Sequence, residues 1–206
     1  MAFGDRCDGK QIRTLPNYKR IYPFVMKTRT ESAIYADFEF EVEKTLEYME
    51  KVNEGLSEKK VKFFHIFIAS LVRTVAMRPQ LNRFVMGRRI FQRNEIQISM
   101  IVKKKLDEDA GYSNIKVTFE PRDTLDTVIQ RMAKALEYGR GDEKKHEEKE
   151  IDLLIKFPDF ILRFIVWAWR GLDYYGILPA SIVKDDPMYA SVYVSNLGSL
   201  GLDSVF

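Results

Sequence analysis

The chain is poor in cysteine and in histidine. Its 206 residues include one cysteine, Cys7, and two histidines, His65 and His146. A lone cysteine excludes an internal disulfide and suits a reducing cytoplasm. No cysteine or histidine spacing matches a zinc site, so no metal is expected. Charge of one sign is missing too: 33 Lys and Arg against 30 Asp and Glu leave a net +3, too balanced to argue for nucleic acid. The N-terminus is mixed-charge and has no apolar core of a signal peptide. Residues 151–183 are the most apolar stretch, but Arg163 and Arg170 interrupt it before the about 20 apolar residues that a membrane span needs. There is no P-loop, no G-x-S-x-G elbow and no dinucleotide fingerprint.

What is present suits one folded domain over residues 1–206, since 46% of the residues are hydrophobic, enough for a single core. Residues 1–30, with Pro16 and Pro23 among basic residues, read as an arm laid over the domain or a neighbour. Ile34, Ala36, Phe38, Phe40 and Val42 alternate with polar residues and predict a half-buried strand. A polar helix is expected from Glu43 to Asn53, ended by Gly55, and a central buried helix from Phe63 to Met77, ended by Pro79. Strands are expected at 89–91, 96–103 and 114–119, the first two turned at Arg93-Asn94-Glu95. An amphipathic helix over 123–138 carries Leu125, Val128, Ile129, Met132 and Leu136 on one stripe. The charge-dense run 142–150 reads as a solvated linker or helix start.

Near the end, Ala190, Val192 and Val194 alternate with Ser191, Tyr193 and Ser195, a strand with two different faces. Asn196, Leu197 and Gly198 follow. Ser195 therefore stands at a rigid strand end, where a hydroxyl either caps the turn or is aimed at a ligand.

This Ser195-Asn196-Leu197-Gly198 run resembles the "ISNLG" strand in the catalytic domain of 2-oxoacid dehydrogenase acyltransferases, which share the chloramphenicol acetyltransferase fold. Arg78-Pro79-Gln80-Leu81-Asn82 resembles the family's "HPELN" turn. The helix pair before it and the helix opened by Asp123-Thr124-Leu125 follow in the same order. The resemblance covers roughly residues 30–139 and 188–202. It implies a two-layer α/β sandwich with a mixed, mostly antiparallel sheet and helices on one face. It also implies acyl transfer between coenzyme A and a small thiol or hydroxyl acceptor, in a homotrimer whose active site lies between subunits. By position, Ser195 matches the serine that hydrogen-bonds the tetrahedral oxyanion.

The family's base, a histidine in H-x-x-x-D-G downstream of the serine, has no counterpart here. Neither histidine is followed by Asp-Gly at the right spacing, and Asp8-Gly9 has Gly4 where the histidine would stand. The apolar run 197–206 suggests a fragment of a longer reading frame; a natural non-catalytic relative is the competing explanation. Residues 140–187, an apolar insertion, depart most from the family pattern. Three uses fit 151–183: extra core packing, a subunit interface, or a helix lying on a membrane surface through Trp167 and Trp169. Arg88, Arg89 and Arg93 flank the middle strands and either meet the phosphates of coenzyme A or stay solvated. Lys103-Lys104-Lys105 is a weaker candidate of the same kind. His65, among phenylalanines, reads as a core histidine, and His146 as solvated.

Overall fold

The computed structural model describes residues 4–55, 60–103, 112–140 and 157–196. Strand β4 (Ile96–Lys103) is its centre, pairing antiparallel with β5 (Tyr112–Phe119) and parallel with β6 (Val192–Val194). Ile96, Ile98 and Met100 point to one face, matched by Ile115, Val117 and Phe119 on β5, and all are buried. Period-two alternation thus gives this sheet an apolar side.

That side is covered by helices α3 (Phe63–Met77) and α4 (Leu125–Arg140). Ile68, Val72 and Val75 of α3 and Val128 and Met132 of α4 join the same core cluster. Their spacing puts each set on one helical stripe, and each such side chain contributes about 1.5–3 kcal/mol relative to exposure. Helix α4 approaches β5 closely because Gly139 has no side chain: a Cβ there would meet Ile115 at 2.5 Å. The result is the α/β architecture of sheet and packed helices that the sequence implies.

The described strands divide into two sheets of three, the first in the order β5-β4-β6. Strand β1 (Gly9–Gln11), β2 (Arg83–Met86) and β3 (Arg89–Arg93) form the second, antiparallel sheet. The arm therefore contributes a strand, and it continues into α1 (Asn17–Val25). The turn at Asn94 and Glu95 does not fold β3 back on β4; it passes the chain from one sheet to the other. The short helix α6 (Ala180–Asp185) lies over the other face of β5, where the Lys116 ammonium donates to the carbonyls of Val183 at 3.0 Å and Asp186 at 2.7 Å.

Three expectations are corrected. Residues 34–42 form no strand: Ile34 is 92% exposed and Phe40 77%, and no described strand lies alongside them. Alternation defines two faces but supplies no partner. Helix α3 is not buried all round, since Phe63 and Phe67 stay substantially exposed. Helix α5 (Asp159–Tyr175) is not core either, for Phe160, Phe164 and Trp167 face outward and only Asp173 is buried. Helix α2 (Glu43–Asn53) has the expected bounds.

Candidate functional site

Ser195 lies one residue beyond β6 and is exposed. Val192 and Val194 pack against the core cluster, so the intervening residues take the opposite face. The parallel register, Ile98 with Val192 and Met100 with Val194, fixes the direction in which β6 runs out.

Polar contacts pin that strand before it reaches Ser195. The Ser191 amide donates to the Gln97 carbonyl at 2.7 Å, and the Gln97 amide donates to Ser191 Oγ at 3.0 Å. The Tyr193 hydroxyl donates to Asn114 Oδ1 at 3.1 Å. Two strands are thereby tied to a third at the point where the chain leaves the sheet, which limits how far a following hydroxyl can wander. Ser191 and Tyr193, with Arg29, Pro187, Met188 and Ala190, line a cleft of about 370 Å³. Ser195 itself is two residues farther along the chain and outside that lining.

His65 is not brought to this strand as a base. Its Nδ1 accepts the Lys62 amide at 3.2 Å and so satisfies an orphan donor at the start of α3, as a cap does. Half burial, and then the positive Lys62, hold the imidazole below the usual histidine range. It is a cap rather than the enclosed core histidine expected. His146 and the Lys104-Lys105 pair lie outside the described residues.

Arg93 does not point at a ligand phosphate and is not solvated. Its Nη1 lies 3.3 Å from Asp8 Oδ2 and donates to the Tyr189 carbonyl at 3.1 Å. Its guanidinium stands 4.4 Å from the centroid of Phe84. Arg6 joins the same knot: Nε pairs with Asp8 at 2.9 Å, Nη2 with Asp173 Oδ1 at 2.9 Å, and Nη1 donates to the Asp173 carbonyl at 2.7 Å. Burial pulls the Arg6 guanidinium down, but Asp8 and Asp173 more than offset it and hold it above its ordinary value. For Arg93 burial wins over Asp8, and the value falls. The Tyr189 phenol, hydrogen-bonded to Asp173, is pushed far up, first by burial and then by that bond.

This buried ionic knot escaped sequence reading because its partners sit in remote segments that no local pattern connects. Cys7, beside it, is half-buried. Burial, and then the charge of Asp8, raise its thiol pKa, the opposite of what an activated nucleophile needs. Among the described residues no group of His, Cys, Asp or Glu is placed to hold a metal ion, and no helix is long and apolar enough to cross a membrane.

No family model matches this chain, and no curated protein matches it. Among solved structures, the chain is similar to the crystal structure of a probable dihydrolipoamide acetyltransferase from Listeria monocytogenes. The TM-score is 0.51 at 12% sequence identity, over 96% of this chain and 68% of the other. A likeness at that identity shows the fold: a chloramphenicol acetyltransferase-like α/β architecture.

Proposed function

We propose that this chain is an acyltransferase of the 2-oxoacid dehydrogenase type, moving an acyl group between coenzyme A and a small thiol or hydroxyl acceptor. The observation that carries the reading is the likeness in fold to an acetyltransferase across nearly the whole chain, together with an exposed Ser195 at the end of β6.

The chemistry asked of Ser195 is narrow. Attack of the acceptor on an acyl thioester puts negative charge on the former carbonyl oxygen, and a hydroxyl held at a strand end donates a hydrogen bond to it. One such donor is worth about 3 kcal/mol of barrier. On this reading Ser195 is the oxyanion donor, and the base that takes the acceptor's proton is a group other than His65, whose ring nitrogen is already engaged. A positioned base adds about 10²–10⁴-fold. The reading carries with it a cytoplasmic homotrimer, with acyl-CoA as substrate and no metal. Replacing Ser195 by Ala is expected to lower release of free CoA thiol from acetyl-CoA at least about tenfold; an unchanged rate would remove Ser195 from the mechanism.

A second reading is a non-catalytic relative that keeps the fold as a binding scaffold at a membrane surface. It is favoured by the outward Phe160, Phe164 and Trp167 of α5, with Arg163 and Arg170 on the same helix, the composition of an interfacial helix. Flotation with anionic vesicles tests it: Trp167→Glu with Trp169→Glu should abolish co-flotation, and insensitivity to that change would eliminate the membrane role.

A further inference from the structure

Helix α1 turns its apolar side outward. Tyr18, Ile21, Tyr22 and Val25 stand at i, i+3, i+4 and i+7, the spacing of one helical stripe, yet all four are between 49% and 66% exposed. Pro23, off that stripe, is the buried residue of the helix. Pairing of β1 with β3, and the Ile12 amide donating to the Ile90 carbonyl at 2.9 Å, fasten the arm just ahead of α1. The helix is therefore held with its apolar stripe toward water.

Helix α5 repeats the arrangement: Phe160, Phe164 and Trp167, at i, i+4 and i+7, face outward while Asp173 turns in. The two helices end at one place, the turn between β2 and β3. A Cβ on Gly87 would strike the Tyr174 carbonyl of α5, and the next residue, Arg88, holds its guanidinium 5.4 Å from the centroid of Phe24 on α1. Two outward apolar stripes are thus neighbours on the β2–β3 hairpin, and exposed apolar surface gathered in this way marks an interaction site.

We propose that α1 and α5 together form a docking surface for an anionic lipid bilayer. Charge selects that occupant. The two helices expose Lys19, Arg20, Arg163 and Arg170 against one carboxylate, Asp159, because Asp173 is buried against Arg6. None of the four cations is ion-paired among the described residues. Cations bordering an aromatic stripe suit a layer of anionic headgroups over acyl chains, and tyrosine and tryptophan favour that boundary. A second copy of the same face would set cations against cations. Two elements matter because one short amphipathic element binds a bilayer weakly, whereas a rigidly joined pair gains effective concentration. This role for α1 rests on the membrane-surface reading of α5 and extends it to the arm.

Flotation of the full chain with vesicles of phosphatidylcholine and phosphatidylserine in equal parts, beside vesicles of phosphatidylcholine alone, tests it. The chain should float with the anionic vesicles in preference to the neutral ones, and raised salt should weaken the binding. Tyr22→Glu with Val25→Glu, which leaves α5 intact, should lower the partition at least about tenfold. Tyr22→Phe with Val25→Leu keeps the apolar surface and should float as the unaltered chain does. So should Met77→Glu, which charges an exposed side chain on α3. If the two α1 glutamates float normally while Trp167→Glu with Trp169→Glu does not, α5 docks alone: the role of α1 is overturned and the membrane reading stands. If the unaltered chain does not float, or floats equally with neutral vesicles, the anionic-membrane reading falls together with it. A loss in Tyr22→Phe with Val25→Leu, or in Met77→Glu, as large as that of the α1 glutamates would also overturn it. So would a concentration-dependent dimer in sedimentation that the α1 glutamates dissociate, since a second copy would then cover this face.

Discussion

Arg6 and Asp173 lie 167 residues apart in sequence and meet in a buried, two-point contact, Nη2 to Oδ1 at 2.9 Å and Nη1 to the carbonyl at 2.7 Å. This pair fastens the arm to α5 and sits beside the arm's pairing with β3. Removing one partner strands a buried charge, so Arg6→Ala should cost about 3–5 kcal/mol in urea unfolding. Asp173→Ala should be similar, and the double variant should lose less than the sum of the two. Additive losses would show that the two residues are not coupled.

Tyr189 makes the same knot sensitive to alkali. Its folded-state pKa is raised, chiefly by burial and then by Asp173, so its contribution is fully present below the phenol's unfolded value of about 10 and is lost as pH rises beyond it. The melting temperature should therefore fall above about pH 10, more steeply than in Tyr189→Phe, which cannot ionise. Parallel curves for the two proteins between pH 8 and about 11 would contradict the assignment.

Ser99, on β4, is fully buried, and its Oγ has no hydrogen-bond partner among the described residues. An unsatisfied buried hydroxyl costs about 1–3 kcal/mol of desolvation, so Ser99→Ala should be neutral or stabilising by up to about 1 kcal/mol. A loss of more than about 1 kcal/mol in denaturant unfolding would mean that the hydroxyl is partnered in solution.

Cys7 should be a sluggish thiol. Burial and the neighbouring Asp8 raise its pKa, and the thiolate is the reactive form. Alkylation by iodoacetamide should be slower than for a free peptide thiol at neutral pH, with a midpoint shifted to higher pH. A midpoint below the free-thiol range of about 8.5 would contradict this placement.

Much of the fold is legible locally. The apolar run Phe63–Met77 and the alternation Ile96, Ile98, Met100 announced α3 and β4 with the observed bounds, but that α3 buries only the stripe Ile68, Val72, Val75 was not read from the run. The alternation around Val192 and Val194 likewise announced β6. Partnership is not local. Residues 34–42 have the same alternation and no described partner strand; β3 and β4 are neighbours in sequence and belong to different sheets. Arg93 reads like any hairpin arginine until Asp8, 85 residues away, is placed beside it. At the candidate site, the position of Ser195 at a strand end was legible from the alternation before it. The supporting bonds of Ser191 to Gln97 and Tyr193 to Asn114 were not, since they cross 94 and 79 residues.

The most direct test compares the unaltered chain with Ser195→Ala for release of CoA from acetyl-CoA to a small dithiol, with and without imidazole added as a surrogate base. Because hydroxyl donation to the oxyanion does not depend on where the proton goes, the rate with imidazole should fall at least about tenfold on loss of Ser195. Equal rates in the two proteins after subtraction of the protein-free reaction would contradict an oxyanion role for Ser195.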